Sequence, residues 1–409
     1  MVSLNHEGVL RLPRVCVGWV GRAARALATL VSASVLAVGA LALVPAPARA
    51  EDVITTQEYF SYYHLDTARA KGYTGKGVTI ALFDGPVDTS APELKGANIT
   101  DKSRCTIEAA TSSRTHGTAM ASLLVSRDYG IAPDATLLTY QSSTIGDVSL
   151  GSCENPGGKR GNSISHLINQ AIEDGAQIVS FSEGSLARGD DVKWAIARAM
   201  SQGVVVVAAA GNNKTDENDA GLQWWSGVVG VSAITADGTF ADYSSWGNGV
   251  TTAAVGGPVS IRDYDTGGVR SMTGTSVATP LVAGMLALGR QKWPYASANQ
   301  LLQVLTQTAL NPNHEWNPYT GYGPINGGAL VNTDPSQYPD ENPLAQKEGG
   351  SSPTVEEVQD YADGLVEPDP DTVGKSYVYR GTDESVLSFG DLGGENPIHL
   401  GTSPRYHRK

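Results

Sequence analysis

Residues 78–84 read VTIALFD, a short apolar run that ends on a carboxylate. Further apolar runs follow along the chain at residues 137–140, 178–181, 204–210 and 228–234. Their length and their many β-branched residues are typical of strands that are buried on both faces. Helix-like stretches lie between them at 116–126, 163–174 and 190–202. This alternation predicts an α/β fold with a mostly parallel sheet covered by helices on both faces.

Chemically distinctive residues come directly after these runs. Ligands of parallel sheets bind beyond the carboxyl ends of the strands, so residues at those ends are the first candidates for a functional site. They are Asp84, the sequence Ser182-Glu183-Gly184 and the pair Gly211-Asn212. Two predicted helices begin with His116 and Ser276, which we expect at the same edge. The sequence therefore predicts an acid, a base, an amide and a hydroxyl close together.

Four segments around these residues resemble the catalytic blocks of the subtilisin-like serine proteases. The segments are IALFDGPVD (80–88), THGTAMASLL (115–124), AAAGNN (208–213) and GTSVATPLVAG (274–284). The likeness extends over residues 59–332 and implies the three-layer subtilisin-like fold. The chain order Asp, His, Ser is that of subtilisin and differs from the order in α/β-hydrolases. A lipase or esterase would also need a G-x-S-x-G turn, which the sequence GTSVA around Ser276 does not provide.

The resemblance implies a serine endopeptidase with three catalytic side chains and one oxyanion donor. Ser276 would attack the peptide carbonyl while His116 takes its proton, and Asp84 would orient the His116 ring. Asn212 would donate a hydrogen bond to the developing oxyanion. Taken singly, each residue has an ordinary alternative role in a turn or at a helix end. Their joint occurrence in this order favours the catalytic interpretation.

Substrate binding is assigned by the same resemblance to Ser182, Glu183 and Gly184. In this family an extended peptide pairs as an additional strand with such a backbone edge. Glu183 stands where the family often carries an apolar residue, and a carboxylate there would favour basic substrate side chains. In the alternative interpretation Glu183 points to solvent and selects nothing. The calcium-binding loop of many members is absent after His116, so we expect no metal there, and the chemistry requires no cofactor.

The first fifty residues have the layout of a secretory signal. Arginines precede an apolar stretch at 27–44, and the small-residue site Ala48-Arg49-Ala50 follows it. Cleavage after Ala50 would give a secreted, extracellular protein. The alternative is a membrane anchor, because about 18 apolar residues are just enough to span a bilayer. Cys105 and Cys153 remain after cleavage, and in an exported chain they predict one disulfide, with two free thiols as the alternative.

The rest of the chain divides into a short extension at 51–58, a peptidase domain at 59–335 and a tail at 336–409. The tail contains Pro and Gly and carries 14 acidic against 6 basic residues, so weak structure is expected, with short elements such as one within 355–365. The formal net charge of -13 argues against nucleic acid as a partner. We expect protein or peptide substrates, no stable membrane anchor after signal cleavage, and a monomer.

The main prediction is a secreted serine endopeptidase that works through an acyl-enzyme. Two features resemble the mycosins: little sequence is left for a propeptide before the peptidase domain, and two cysteines remain after signal cleavage. Mycosins carry a C-terminal membrane helix, which is not expected here. A processing protease of narrow specificity is the second prediction. A catalytically silent scaffold that binds peptides is the third, and reaction with a serine-directed phosphonate would distinguish it.

Overall fold

A seven-stranded parallel sheet forms the centre of the computed structural model, which describes residues 53–142, 149, 151–153, 161–183, 189–217, 221–311, 313, 315–347 and 352–365. The strands are β1 (Thr79–Asp84), β2 (Asn98–Asp101), β3 (Thr136–Gln141), β4 (Ile178–Phe181), β5 (Val205–Ala209), β6 (Val229–Ile234) and β7 (Val250–Val255). They lie in the order β2-β3-β1-β4-β5-β6-β7, and every neighbouring pair is parallel. A separate antiparallel hairpin consists of β8 (Val259–Arg262) and β9 (Val269–Met272).

Helices surround this sheet. They are α1 (Glu58–Tyr62), α2 (Leu65–Ala70), α3 (Thr111–Val125), α4 (Ile164–Glu173), α5 (Asp190–Ser201), α6 (Thr275–Lys292), α7 (Ala298–Gln307), α8 (Gly327–Asn332) and α9 (Val355–Ala362). Short 3₁₀ turns occur at Pro92–Leu94, Gly151–Cys153, Leu222–Trp224 and Pro335–Gln337. Within the described part of the chain, none of these helices is long and apolar enough to cross a membrane.

The alternation of side chains along β1 separates two apolar cores. Ile80 and Leu82 belong to a core with α3 and α6, whereas Ala81 and Phe83 belong to a core with α4 and α5. All four side chains are fully buried. Burial on both faces is the reason why the strand reads as a continuous apolar run. The three-layer α/β fold predicted from the sequence is thereby confirmed.

The strand order reverses beside β1, and this reversal positions the candidate site. From β1 the chain runs outward to β2 and returns through β3, and it then crosses to β4 on the other side of β1. Neighbouring strands whose connections leave in opposite directions open a crevice at their carboxyl ends. Asp84 ends β1 at this crevice, and Ser182 and Glu183 directly follow β4.

The sequence prediction placed the start of helix α3 too late and did not include strands β2, β7, β8 and β9. Helix α3 begins at Thr111, so His116 lies within the helix and does not open it. The five residues that precede His116 in the helix, TSSRT, are polar, so they show no apolar periodicity that would mark a helix start. Strand β2 was not among the predicted runs because its sequence, NITD, is polar and mostly exposed at the edge of the sheet.

Two stretches of the predicted tail, residues 336–347 and 352–365, pack against the sheet and its helices. The short element expected within 355–365 is helix α9, whose start is fixed by a capping box between Thr354 and Glu357. Tyr361 of α9 stacks on Trp194 of α5, with ring centroids 6.3 Å apart. Lys193 pairs with Glu357 at 2.9 Å. The acidic composition of this region therefore does not prevent it from joining the fold.

Lys347 anchors the first of these stretches by a buried ammonium group. Its Nζ donates hydrogen bonds to the backbone carbonyls of Gln223 at 2.6 Å and Gly249 at 3.0 Å. Burial lowers the pKa of Lys347 from 10.5 to about 7, because a charged group loses its hydration in the interior. The protonation state of Lys347 is therefore linked to the stability of the fold.

We expect the free energy of unfolding to rise between pH 7 and pH 10, and to rise less in Lys347→Met. In this range the unfolded chain binds a proton at Lys347 that the native protein has released, and stability then increases with pH. Each unit of pKa lowering contributes about 1.4 kcal/mol to that rise. Urea unfolding at a series of pH values measures it, and Lys95→Met, at an exposed position, should keep the wild-type slope. Equal slopes for Lys347→Met and wild type would contradict this prediction.

Candidate active site

Asp84 lies at the end of β1 with only 1% of its surface exposed. Its Oδ1 accepts a hydrogen bond from the backbone N–H of Gly85 at 2.8 Å and lies 2.7 Å from Nδ1 of His116. A carboxylate at this distance favours the tautomer with the proton on Nδ1, which leaves Nε2 free to accept another. The structure thus brings the predicted acid and the predicted base together.

Two glycines allow helix α3 to approach the end of β1 closely enough for this contact. A Cβ atom added to Gly117 would lie 2.3 Å from the carbonyl oxygen of Gly85. A Cβ atom added to Gly85 would lie 2.4 Å from the carbonyl oxygen of Ser113. Neither backbone oxygen can move without shifting the strand or the helix, so any side chain at these positions would separate His116 from Asp84.

The pKa of His116 is raised above its usual value of 6.5. Burial disfavours the imidazolium ion, but the charge of Asp84 and the hydrogen bond to it favour that ion more strongly. The positive charge of Arg270 acts in the opposite direction. Because only the neutral ring can take a proton, His116 acts as a base above this raised pKa.

Ser276 is the second residue of helix α6 and is 3% exposed. Pro280 is the sixth residue of the helix, beyond its first turn. Since proline has no N–H, it cannot bond to the carbonyl of Ser276 four residues earlier. Ser182 Oγ donates to that carbonyl instead, at 3.1 Å. The end of β4 is thereby joined to the start of α6.

Asn212 follows β5 and faces the start of α6. Its Oδ1 accepts hydrogen bonds from the Thr275 backbone N–H at 2.8 Å and from the Thr275 hydroxyl at 3.1 Å. A Cβ atom added to Gly274 would lie 2.9 Å from Ser276 Oγ and 3.3 Å from Asn212 Nδ2. The hydroxyl of Ser276 and the amide N–H₂ of Asn212 therefore border the same small space. That space therefore has one donor of the kind that an oxyanion requires, the N–H₂ group of Asn212.

Among the described residues, no hydrogen bond joins His116 to Ser276. Their helices, α3 and α6, pack together. Ser182 bonds to Ser276, and its chain neighbour Glu183 lies beside the Asp84–His116 pair. The hydrogen bond between a serine and its base is often long in free enzymes and shortens when substrate binds.

Glu183 is turned toward Asp84 and His116. Its Oε2 accepts a hydrogen bond from the hydroxyl of Ser142. One carboxyl oxygen of Glu183, one of Asp84 and a ring nitrogen of His116 all lie within 4.8 Å of one another. Gly184, predicted beside it at the substrate edge, lies outside the described residues. Ser142 was missed in the sequence, although the strand-end rule applied to the run at 137–140 would have pointed to it.

Cys105 and Cys153 are adjacent, at disulfide-bonding distance. Cys105 follows β2, and Cys153 is fully buried in a short 3₁₀ turn. The contact joins two loops that are separated by 48 residues of sequence. It supports the pairing expected for an exported chain.

Comparison with known sequences identifies a family that matches this chain. The model of the subtilase family matches residues 75–323. Subtilisin DY from Bacillus licheniformis is 29% identical over 273 residues, which are 64% of this chain and 93% of that protein. The major intracellular serine protease of Bacillus subtilis is 31% identical over 237 residues, which are 54% of this chain and 70% of that protein.

Solved structures share the fold. MycP1 from Mycobacterium smegmatis gives a TM-score of 0.55 at 23% identity, over 72% of this chain and 88% of that chain. The prenylagaramide maturation protease PagA gives a TM-score of 0.53 at 24% identity, over 66% of this chain and 97% of that chain. At these identities the likeness concerns the fold alone.

Proposed function

The chain belongs to the subtilase family as a subtilisin-like serine endopeptidase, and we propose that Asp84, His116 and Ser276 are its catalytic triad. The observation that carries the proposal is the 2.7 Å contact between Asp84 Oδ1 and His116 Nδ1, together with a serine in the first turn of helix α6, which packs against the helix of His116. A serine hydroxyl needs a base that is itself held by a third group, and this arrangement supplies both.

Acylation begins when Ser276 Oγ attacks the carbonyl carbon of the substrate peptide. His116 Nε2 takes the hydroxyl proton, and Asp84 stabilises the imidazolium that forms. Asn212 Nδ2 and the backbone N–H of Ser276 donate to the oxyanion of the tetrahedral intermediate. The C–N bond then breaks, and His116 gives its proton to the leaving amine. A water molecule attacks the resulting ester by the same sequence and regenerates the serine.

The substrate is proposed to bind as an extended strand along residues 182–184, at the edge of the crevice. Ser182 is suited to fix this edge because its hydroxyl is bonded to the Ser276 carbonyl. We also propose that the protein is exported by cleavage after Ala50 and that Cys105 and Cys153 form a disulfide. The adjacent cysteines support this location, because disulfides persist in oxidising compartments.

The proposal is tested with the exported protein and Ser276→Ala, each incubated with casein and with a random peptide library read by mass spectrometry. N-terminal sequencing of the exported protein locates the signal cleavage. We expect the wild type to cut casein and many library peptides, and Ser276→Ala to cut neither. A fluorophosphonate should label the wild type at Ser276 and leave the variant unlabelled.

The outcomes separate the alternatives. Cleavage of few library peptides together with labelling of Ser276 would identify a processing protease of narrow specificity. Absence of both cleavage and labelling would identify a silent scaffold and would refute the proposed triad. Equal cleavage by wild type and Ser276→Ala would place the reaction elsewhere in the chain.

A further inference from the structure

A third titratable side chain, Glu183, lies within the catalytic centre. Its carboxyl group, the Asp84 carboxylate and the His116 ring approach one another to within 4.8 Å. The side chain is half-buried, and Ser142 holds one of its oxygens. The roles derived above for Asp84, His116, Ser276 and Asn212 leave this acid unused.

Asp84 has an oxygen that requires a donor. Its Oδ2 is buried and accepts no hydrogen bond from any residue that the structure describes. A buried carboxylate oxygen without a donor is costly, and a hydrogen bond to a charged group is worth about 1.5–3 kcal/mol. The next residue is Gly85, which has no side chain to offer.

Two carboxyl groups this close cannot both be ionised without strong repulsion. A proton held by one member of such a pair relieves this repulsion. Asp84 is the member that contacts His116, so Asp84 serves as the hydrogen-bond acceptor of the pair. A proton on Glu183 would give it a hydroxyl that can serve as the donor that Asp84 Oδ2 requires.

We propose that Glu183 is a positioning residue of the catalytic centre, whose protonated carboxyl group donates a hydrogen bond to Asp84 Oδ2 and so orients Asp84 toward His116. The inference rests on the proposed triad. When Glu183 releases its proton to solvent at alkaline pH, Asp84 loses this donor and gains a like charge as its neighbour. The enzyme therefore loses activity at high pH through Glu183.

The charges that the described residues place near the Asp84–His116 pair fit this role. Asp84 of β1 is the like charge that retains the proton, and His116 of α3 is neutral when the enzyme is active. Arg270 of β9 is the positive group whose charge is felt at His116. Its Nε lies 3.5 Å from Asp263 Oδ2, so a carboxylate on its own hairpin partly offsets its charge.

The kinetic test compares Glu183→Leu and Glu183→Gln with wild type in kcat and KM across pH, on a peptide that the wild type cleaves. Glu183→Leu should lower kcat about 10- to 100-fold with little change in KM, the equivalent of one hydrogen bond to a charged group. The kcat of Glu183→Gln should fall less, because its amide N–H can donate to Asp84. The kcat of this variant should also not decline at alkaline pH. The matched control is Glu108→Gln, an exposed glutamate that also accepts from a serine hydroxyl, and it should keep the wild-type profile. Wild-type kcat in Glu183→Leu, or an unchanged alkaline decline in Glu183→Gln, would overturn the proposal.

An infrared difference spectrum tests the proton itself and does not depend on activity. Ser276→Ala and the double variant with Glu183→Gln are compared at neutral pH. We expect the C=O band of a protonated carboxylic acid to disappear in the double variant. If Ser276→Ala shows no such band, Glu183 is ionised and the proposal is wrong. The proposed triad is tested separately by fluorophosphonate labelling. If the wild type is not labelled, the triad itself is wrong.

Discussion

Replacing Asp84 by Asn is expected to lower kcat about 10⁴-fold, the loss that the same change causes in a serine-protease triad. Asparagine keeps the size of the side chain. However, its N–H₂ group would face Nδ1 of His116 and favour the tautomer with the proton on Nε2. That ring cannot take the proton of Ser276.

The measurement is kcat and KM for the purified variant, with circular dichroism to verify the fold. The pKa of His116 should also fall in this variant, because the raised value depends on the charge of Asp84. The titration can be followed by NMR of the ring. Asp101→Asn is the control, since Asp101 is exposed and accepts only from Ser103 among the described residues. Near-wild-type kcat in Asp84→Asn would refute the assigned role.

Replacing Asn212 by Ala is expected to lower kcat about 10²–10³-fold with little change in KM, the range known for the oxyanion-hole asparagine of subtilisin, a relative of this chain. The loss concerns kcat because the donor stabilises a charge that develops only in the transition state. The neighbouring Asn213→Ala is a matched control, since its side chain bonds to Glu217 on the exposed side of the loop. Stopped assays of both variants on one peptide substrate measure the difference.

A second variant tests the same space by filling it. The added Cβ of Gly274→Ala would lie 2.9 Å from Ser276 Oγ and 3.3 Å from Asn212 Nδ2. It should therefore lower kcat as well, although both functional side chains remain.

Equal kcat in wild type and Asn212→Ala would show that the backbone N–H of Ser276 suffices, and would remove Asn212 from the mechanism.

The sequence pointed to the fold most reliably where burial is symmetric. Strands β1, β4, β5 and β6 are covered on both faces, and each one reads as an apolar run. Edge strand β2 pairs on one side only and is largely exposed, so its sequence carries no such mark. The first turn of α3 was also missed, because no side-chain cap marks its start.

What the sequence determined by itself was the α/β fold class, the order of the blocks and the residues at the strand ends. These are local properties, since burial and strand termini leave their pattern in neighbouring residues. Only the tertiary structure decided that Glu183 turns toward Asp84 and His116, and that Ser142 holds it there. It also decided that Lys347 is buried beneath residues more than 90 positions earlier in the chain. Side-chain direction and distant burial depend on which elements pack together, and a strand-end residue has the same sequence whether it faces solvent or a catalytic pair.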